Sequence, residues 1–254
     1  MRRALAVEWR KVRSSRVTLT ATSLMGVLLP AMGLGFYQVA LSGGNGALAD
    51  KAEAFLTAEG WAGYLGLVDQ IAAVAVLLGA GVVVAWVFGR EHIDRTFPAL
   101  FATGVARGTI AAAKFVVMAL WVIGLSLVIC LFALALGIVG GVGAIGDDLT
   151  SHLVRLLVVV LGAGMLALTL GWVASVGRGY LPAIGVLILI IAAAQVAVLF
   201  GTGAWFPYAL PGLIAVSGME GVPSLGPQHL ALIPAVTLLA IWLTVRWWRH
   251  AEVS

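Results

Sequence analysis

The residues of this chain that could do chemistry are few, and they do not form an active site. Asp147, Asp148 and His152 lie close enough in sequence to bind a metal ion. Asp148, Thr150 and Ser151 equally suit the cap of a helix that follows them. We favour capping, and we expect no metal site.

The other features of the sequence that bear on catalysis or nucleotide binding also argue against it. Gly141, Gly143 and Gly146 match a dinucleotide-binding fingerprint, but they follow an apolar helical segment and not a strand. The sequence has no Gly-Lys pair and therefore no phosphate-binding P-loop. The single cysteine, Cys130, lies in an apolar run and excludes an intrachain disulfide. We predict no catalytic residue, no cofactor bound by this chain and no enzyme activity.

Three polar residues inside apolar segments are candidates for a transport role. Polar groups are costly in lipid, so Asp69, Gln70 and Gln195 mark a possible translocation path. Asp69 has an alternative as an interfacial residue that reaches headgroup water, and Gln195 as a hydrogen-bonding partner of a neighbouring helix. Arg155 is expected to extend outward to the membrane surface.

Six apolar segments carry these residues. The chain is 62% hydrophobic and 10% charged, which excludes a water-soluble globule. A membrane span needs about 20 apolar residues, whose backbone groups must bond within the helix. We predict an all-α integral membrane protein in which residues 1–254 form a single transmembrane domain. The predicted spans are residues 17–41, 66–88, 109–139, 153–176, 181–200 and 230–245.

The positive charges predict the orientation of these spans. With the N-terminus in the cytoplasm, only Lys51 and Arg155 of the fifteen Lys and Arg residues lie outside. We expect a multi-pass protein of the cell membrane with both termini cytoplasmic. The basic residues flank apolar segments instead of forming a groove, so we expect membrane lipids, and not nucleic acid, as their partners.

An elbow helix is predicted at residues 1–16. Leu5, Trp9 and Val12 recur at i, i+4 and i+7, while basic residues such as Arg10 and Lys11 occupy the other side. This pattern is typical of a helix that lies on the inner leaflet. The alternative is a basic flank without a regular apolar face.

The loop between spans 2 and 3 has the spacing of a short amphipathic helix. Its apolar residues recur at i, i+4, i+7 and i+8, Thr96 suits the cap, and Gly104 suits the end. Such a helix can dock on another protein, or its apolar side can pack against the bundle or lipid. The residues that would make the contact are Glu91, Asp94, Arg95, Thr96, Phe97, Leu100 and Phe101.

The longest outer loop, residues 201–229, is apolar but too interrupted to span the membrane. A re-entrant or interface-lying hairpin is predicted there. A lipid-facing belt is the alternative.

With these features the chain resembles a permease subunit of the ABC-2 type family of ATP-binding-cassette exporters. Such permeases have a basic elbow helix with a Glu-x-x-Lys-like pattern, six spans, and a charged cytoplasmic loop after the second span. Arg95 and Gly104 depart from the glycine and proline that are usual at their positions. The matching residues here are Glu8 to Arg16, Glu91, Thr96, Leu100, Phe101, Val105, Arg107, Ala113 and Lys114.

The resemblance implies that the charged loop is a coupling helix that binds a groove of a separate ABC ATPase subunit. That partner would bind ATP and Mg²⁺, and two permease copies, identical or related, would enclose the path of the exported molecule. An amphipathic drug, an antibiotic peptide or a similar molecule is the implied cargo. The alternative function is an ion- or proton-coupled secondary transporter that uses Asp69.

Overall fold

The computed structural model describes residues 1–42, 46–56, 58–94 and 105–250, and all regular secondary structure among them is helical. Six helices within these described ranges are long and apolar enough to cross a membrane. This confirms the predicted all-α class with six spans. They are span 1 (Arg16–Leu41), span 2 (Gly60–Ile93), span 3 (Arg107–Val139), span 4 (Leu149–Val176), span 5 (Tyr180–Leu199) and span 6 (Pro227–His250).

The spans alternate in direction, so the bundle has an N-terminal face and an opposite face. At the N-terminal face the end of span 2 meets the start of span 5, where a side chain at Gly89 would collide with the backbone of Gly179 and Tyr180. At the opposite face the hydroxyl of Tyr37 accepts a hydrogen bond of 2.7 Å from the backbone N–H of Gly60. The end of span 6 also lies on the N-terminal side, where a side chain at Gly108 of span 3 would meet Arg249.

Span 2 is the central helix of the bundle, and it is longer than predicted. It contacts spans 1, 4 and 5 along much of its length, and its small residues permit close packing. A side chain at Gly81, for example, would collide with Leu187 of span 5. The predicted limits, residues 66–88, follow the apolar run alone. The helix continues to Ile93 because polar residues at its N-terminal-face end find partners in the protein.

Span 1 contains a local distortion that its proline explains. The five residues Leu24–Leu28 form a π-helical turn, and Pro30 follows two residues later. Proline has no N–H and its ring clashes with the carbonyl four residues earlier in a regular α-helix. The wider turn relieves this clash without ending the helix.

The N-terminal helix, Arg2–Arg13, packs against span 3 with a face that differs from the predicted one. Ala4, Glu8 and Val12 are buried, and Leu5 is partly buried. Trp9, predicted to belong to the apolar stripe, is 46% exposed. The helix turns Glu8 inward instead, because the carboxylate has charged partners there.

The outer loop between spans 5 and 6 folds back into the bundle. A short helix, Leu210–Ala215, buries Leu210 and Leu213 against spans 2 and 4. Tyr208 shares a hydrogen bond of 2.8 Å with Thr169, which lies twenty residues into span 4. The segment is therefore a re-entrant hairpin, and the alternative of a lipid-facing belt is wrong for these residues.

The capping prediction for span 4 is only partly correct. Asp148 occupies the N-cap position, but its side chain makes no capping hydrogen bond. The hydroxyl of Ser151 instead donates a hydrogen bond of 2.7 Å to the Asp148 carbonyl.

Candidate functional site: a buried charge cluster at the N-terminal face

Four charged residues from three helices meet at the N-terminal face. Glu8 and Lys11 are three residues apart on the N-terminal helix and so share one side of it. Glu91 lies in the last turn of span 2, and Lys114 lies two turns into span 3. We call these four residues the charge cluster.

The charge cluster is a closed set of ion pairs in which each lysine contacts both glutamates. Lys114 Nζ lies 2.9 Å from Glu8 Oε2 and 2.8 Å from Glu91 Oε1. Lys11 Nζ lies 2.9 Å from Glu8 Oε1 and 3.0 Å from Glu91 Oε1. The two positive and two negative charges cancel, so the cluster as a whole is neutral.

Three members of the cluster are almost completely buried. The side chains of Lys114, Glu8 and Glu91 are 0%, 3% and 3% exposed, and that of Lys11 is 28% exposed. Removing charges from water is costly, and only well-placed partners offset that cost. The burial therefore fixes the relative positions of the N-terminal helix, span 2 and span 3.

Aromatic side chains pack beside the cluster within the bundle. The Phe88 ring centroid lies 6.0 Å from Lys114 Nζ and 4.6 Å from the ring centroid of Phe115. Trp248 of span 6 packs edge-on against Phe88 and donates a hydrogen bond of 2.9 Å to Ser175 of span 4. Spans 4 and 6 are thus connected to the cluster through Phe88.

The electrostatics of Lys11 show how strongly the cluster holds charge. Burial alone would lower its pKa, but the carboxylates of Glu91 and Glu8 outweigh burial and raise the pKa above its ordinary value. Lys11 therefore stays protonated throughout the neutral pH range. The cluster is suited to holding helices together and not to exchanging protons near pH 7.

The structure corrects the predicted role of Glu91 and leaves the rest of the coupling prediction open. Glu91 was expected to contact a partner, yet its carboxylate is buried between Lys114 and Lys11. Asp94 ends span 2 and is exposed. The other predicted coupling residues lie outside the described residues; they are Arg95, Thr96, Phe97, Leu100 and Phe101.

The three residues predicted for a translocation path lie in two different environments: Asp69 is in an ion pair, and Gln70 and Gln195 line a cavity. Asp69 is fully buried, and Arg155 Nε donates a hydrogen bond of 2.8 Å to its Oδ2 atom. Asp69 is therefore shielded from headgroup water, and the Arg155 guanidinium pairs with it instead of extending outward. The pair joins span 2 to span 4, and the other oxygen of Asp69, Oδ1, has no hydrogen-bond partner among the described residues.

Gln70 and Gln195, in contrast, line one cavity of about 270 Å³ between span 2, span 5 and the re-entrant hairpin. Gln70 Nε2 donates hydrogen bonds to the carbonyls of Phe55 and Gly66, at 3.3 and 3.2 Å. Gln195, predicted to bond a neighbouring helix, makes no such bond to a described residue. Tyr208 also lines the cavity, which is otherwise mainly apolar.

The pairing of the four charges was not predicted from the sequence, although their positions carried a signal. Glu8, Glu91 and Lys114 each matched a motif position, but the motifs lie up to 106 residues apart. Hydrophobic periodicity favours apolar residues on a buried face. Periodicity therefore predicted Trp9 on the buried face of the N-terminal helix, where the structure has Glu8.

Comparison with known proteins identifies the family. A model of the ABC-2 family transporter proteins matches residues 4–195, about three quarters of the chain, and this match includes the whole charge cluster. A comparison with curated proteins finds no match. The six apolar helices and the family match make this a multi-pass membrane protein and a permease component, not a catalytic unit. The chain belongs to the ABC-2 family of transporter membrane proteins.

Proposed function

We propose that this chain is the permease subunit of an ATP-driven exporter of the cell membrane, with both termini in the cytoplasm. A separate ABC ATPase subunit binds ATP and Mg²⁺ and docks on residues 95–104. A second permease copy, identical or related, completes the path. The cargo is an amphipathic molecule such as a drug or an antibiotic peptide.

The observation that carries the proposal is the position of the charge cluster. Glu91 lies four residues before the segment 95–104, and Lys114 lies ten residues after it. A force on this segment reaches the ends of spans 2 and 3 first. Because the cluster joins these two ends to each other and to the N-terminal helix, the three elements would move as one body.

The absence of a nucleotide site in the sequence supports a separate motor. No Gly-Lys pair occurs in the 254 residues, so a P-loop lysine is missing. In this proposal the energy for transport enters through a protein contact. Phe97, Leu100 and Phe101 would anchor that contact, and Asp94 and Arg95 would form its polar rim.

The cavity lined by Gln70 and Gln195 is our candidate for part of the cargo path. It combines a mainly apolar wall with three polar side chains, the third being Tyr208. This composition is typical of sites for small amphipathic molecules. Gln195 is exposed on the outer surface of span 5, where a second permease copy would complete the site.

The motor contact is tested by co-purification and by ATPase assay. Affinity purification of the full chain from its native membrane should recover an ABC ATPase, whose activity in proteoliposomes rises when cargo is added. The double variant Phe97→Asp/Phe101→Asp should lose the ATPase and ATP-dependent transport by at least tenfold. The control Ile145→Asp changes an exposed residue of the opposite face and should retain both.

Two results would overturn this proposal. One is transport by the purified chain without any ATPase, driven by an ion gradient. The other is a Phe97→Asp/Phe101→Asp variant that retains both its ATPase and full transport.

A further inference from the structure

An apolar groove runs along the seam between spans 1 and 2, on the half of the bundle near the N-terminal face. Its volume is about 770 Å³. Span 1 contributes residues from Arg16 to Leu29, and span 2 contributes residues from Ala75 to Val83. Apart from Arg16 and Thr20, the lining is apolar.

The groove matches one leaflet of a bilayer in length and in exposure. The fourteen residues from Arg16 to Leu29 rise by about 20 Å along a helix, and one leaflet contributes roughly 15 Å of hydrocarbon. Leu24, Leu28 and Leu78 line the groove and are 42–54% exposed. The groove therefore opens sideways, toward the acyl chains of the surrounding lipid.

The end of the groove at the membrane surface carries a free positive charge. Arg16 is exposed, and no hydrogen bond or ion pair joins its guanidinium to another described residue. Protein carboxylates that could neutralise it are scarce on this side. In the proposed orientation only Glu8, Glu91, Asp94 and Glu252 are acidic there, and the first two are committed to the charge cluster.

We propose that this groove binds an anionic phospholipid of the inner leaflet. One acyl chain lies along the seam between Leu24, Leu28 and Leu78, and the phosphate contacts Arg16. Basic side chains near anionic headgroups gain favourable electrostatic energy, and the apolar lining offers the acyl chain van der Waals packing along the seam. A second copy of the protein fits less well, since most charges on this side are positive.

Photo-crosslinking tests the site directly. The purified full chain is placed in nanodiscs that contain phosphatidylglycerol carrying a diazirine on one acyl chain, or the matched phosphatidylcholine. After illumination, mass spectrometry should find adducts concentrated at residues 17–29 and 75–83. Arg16→Gln should reduce the preference for phosphatidylglycerol there by about fivefold, the factor that a single surface cation contributes.

Matched variants separate binding from general effects. Arg3→Gln removes an exposed cation of the N-terminal helix outside the groove and should leave the preference unchanged. Leu78→Trp fills the groove and should reduce labelling by both lipids, whereas Leu120→Trp, at an exposed position of span 3, should not. Size-exclusion profiles verify that each variant is folded.

Three outcomes would overturn the inference. They are uniform labelling around the bundle, equal effects of Arg16→Gln and Arg3→Gln, and chain-to-chain crosslinks through Leu24 or Leu28 in place of lipid adducts. The last result would assign the groove to a second copy. The experiment uses neither an ATPase nor cargo, so its failure is distinguishable from failure of the proposed exporter function.

Discussion

Two buried ion networks join helices in the part of the chain that the structure describes, and they differ in the number of ion pairs that each contains. The charge cluster at the N-terminal face joins three helices, and each of its members has two partners of opposite charge. The pair of Asp69 and Arg155 joins spans 2 and 4 through one contact. A closed network fixes orientation in several directions, whereas a single pair fixes only one distance.

The difference fits two separate tasks. The cluster adjoins the segment proposed to receive the motor, and it connects the elements that would have to move together. The pair lies inside the bundle between two long spans, away from any predicted contact with a partner. Mutations in the cluster should therefore impair coupling and stability together, and mutations in the pair should impair stability alone.

The largest effect is expected for Lys114→Met. Its ammonium is fully buried and contacts both glutamates, so its loss leaves two buried carboxylates that share Lys11. Breaking a buried ion pair costs about 3–5 kcal/mol. We expect this loss in the apparent free energy of unfolding, measured by thermal denaturation in detergent, and a loss of cargo-stimulated ATPase activity of at least tenfold.

The control for Lys114→Met is Lys51→Met. Lys51 is exposed on a short helix, Ala47–Phe55, of the opposite face, and its replacement should change stability by less than about 1 kcal/mol. If the two variants had equal stability and equal ATPase activity, the cluster would be neither a structural nor a coupling element.

The next largest effect is expected for Arg155→Met, at about 3 kcal/mol. This change leaves the fully buried Asp69 without its ionic partner.

Asp69→Asn should cost only about 1 kcal/mol, because Arg155 is 25% exposed and can extend toward the surface. Neither change should alter the stimulation of the ATPase once the protein is folded.

Thermal denaturation and transport assays of these two variants also test the alternative function. A stable Asp69→Asn variant that loses all transport would favour an ion-coupled mechanism. It would also remove the functional contrast between the pair and the cluster.

The sequence predicted the helices better than the partnerships of their polar residues. Apolar runs are local, so all six spans could be found, and Arg16–Leu41 and Tyr180–Leu199 agree with the predicted limits within one residue. The predicted span 2 was too short because charged residues at the end of an apolar run are typical of a loop. They stay helical here because Lys114 lies beside Glu91.

The ion pairs could not be found because they join distant parts of the chain. Asp69 and Arg155 are 86 residues apart, and each was interpreted alone as a polar residue that seeks water. The Glu-x-x-Lys pattern of the N-terminal helix marked the right region, but periodicity placed the wrong face inward. A buried charge is stabilised only by partners of opposite charge. Which residues become partners depends on the fold, and local sequence patterns do not show it.

A double-mutant cycle sharpens the comparison, with a smaller expected effect. Glu91→Gln and Lys114→Met each leave an uncompensated charge, but together they leave the neutral pair of Glu8 and Lys11. We expect the double variant to be more stable than the sum of the single effects by about 2 kcal/mol, within the range for residues in contact. Additive unfolding energies would mean that the two side chains do not act as one network.

The smallest effect is expected for Lys11→Met, and its pH dependence tests the electrostatics of the cluster. Lys11 is the most exposed member, and its loss leaves both carboxylates in contact with the fully buried Lys114, so it should cost only about 1 kcal/mol. The carboxylates of Glu91 and Glu8 raise the pKa of Lys11 despite its burial. For a base whose pKa is raised by folding, the contribution to the free energy of unfolding is complete below its pKa in the unfolded chain, about 10.4 for lysine. That contribution is lost as the pH rises through the higher pKa of the folded protein.

The difference in melting temperature between the natural protein and Lys11→Met should therefore stay constant from pH 7 to about pH 9. It should shrink only above about pH 10.5, and Lys51→Met should show no comparable difference. A difference that had vanished by pH 9 would mean that the carboxylates do not hold the proton on Lys11. The partly exposed corner of the cluster would then be a surface contact, and only Glu8, Glu91 and Lys114 would form the buried network.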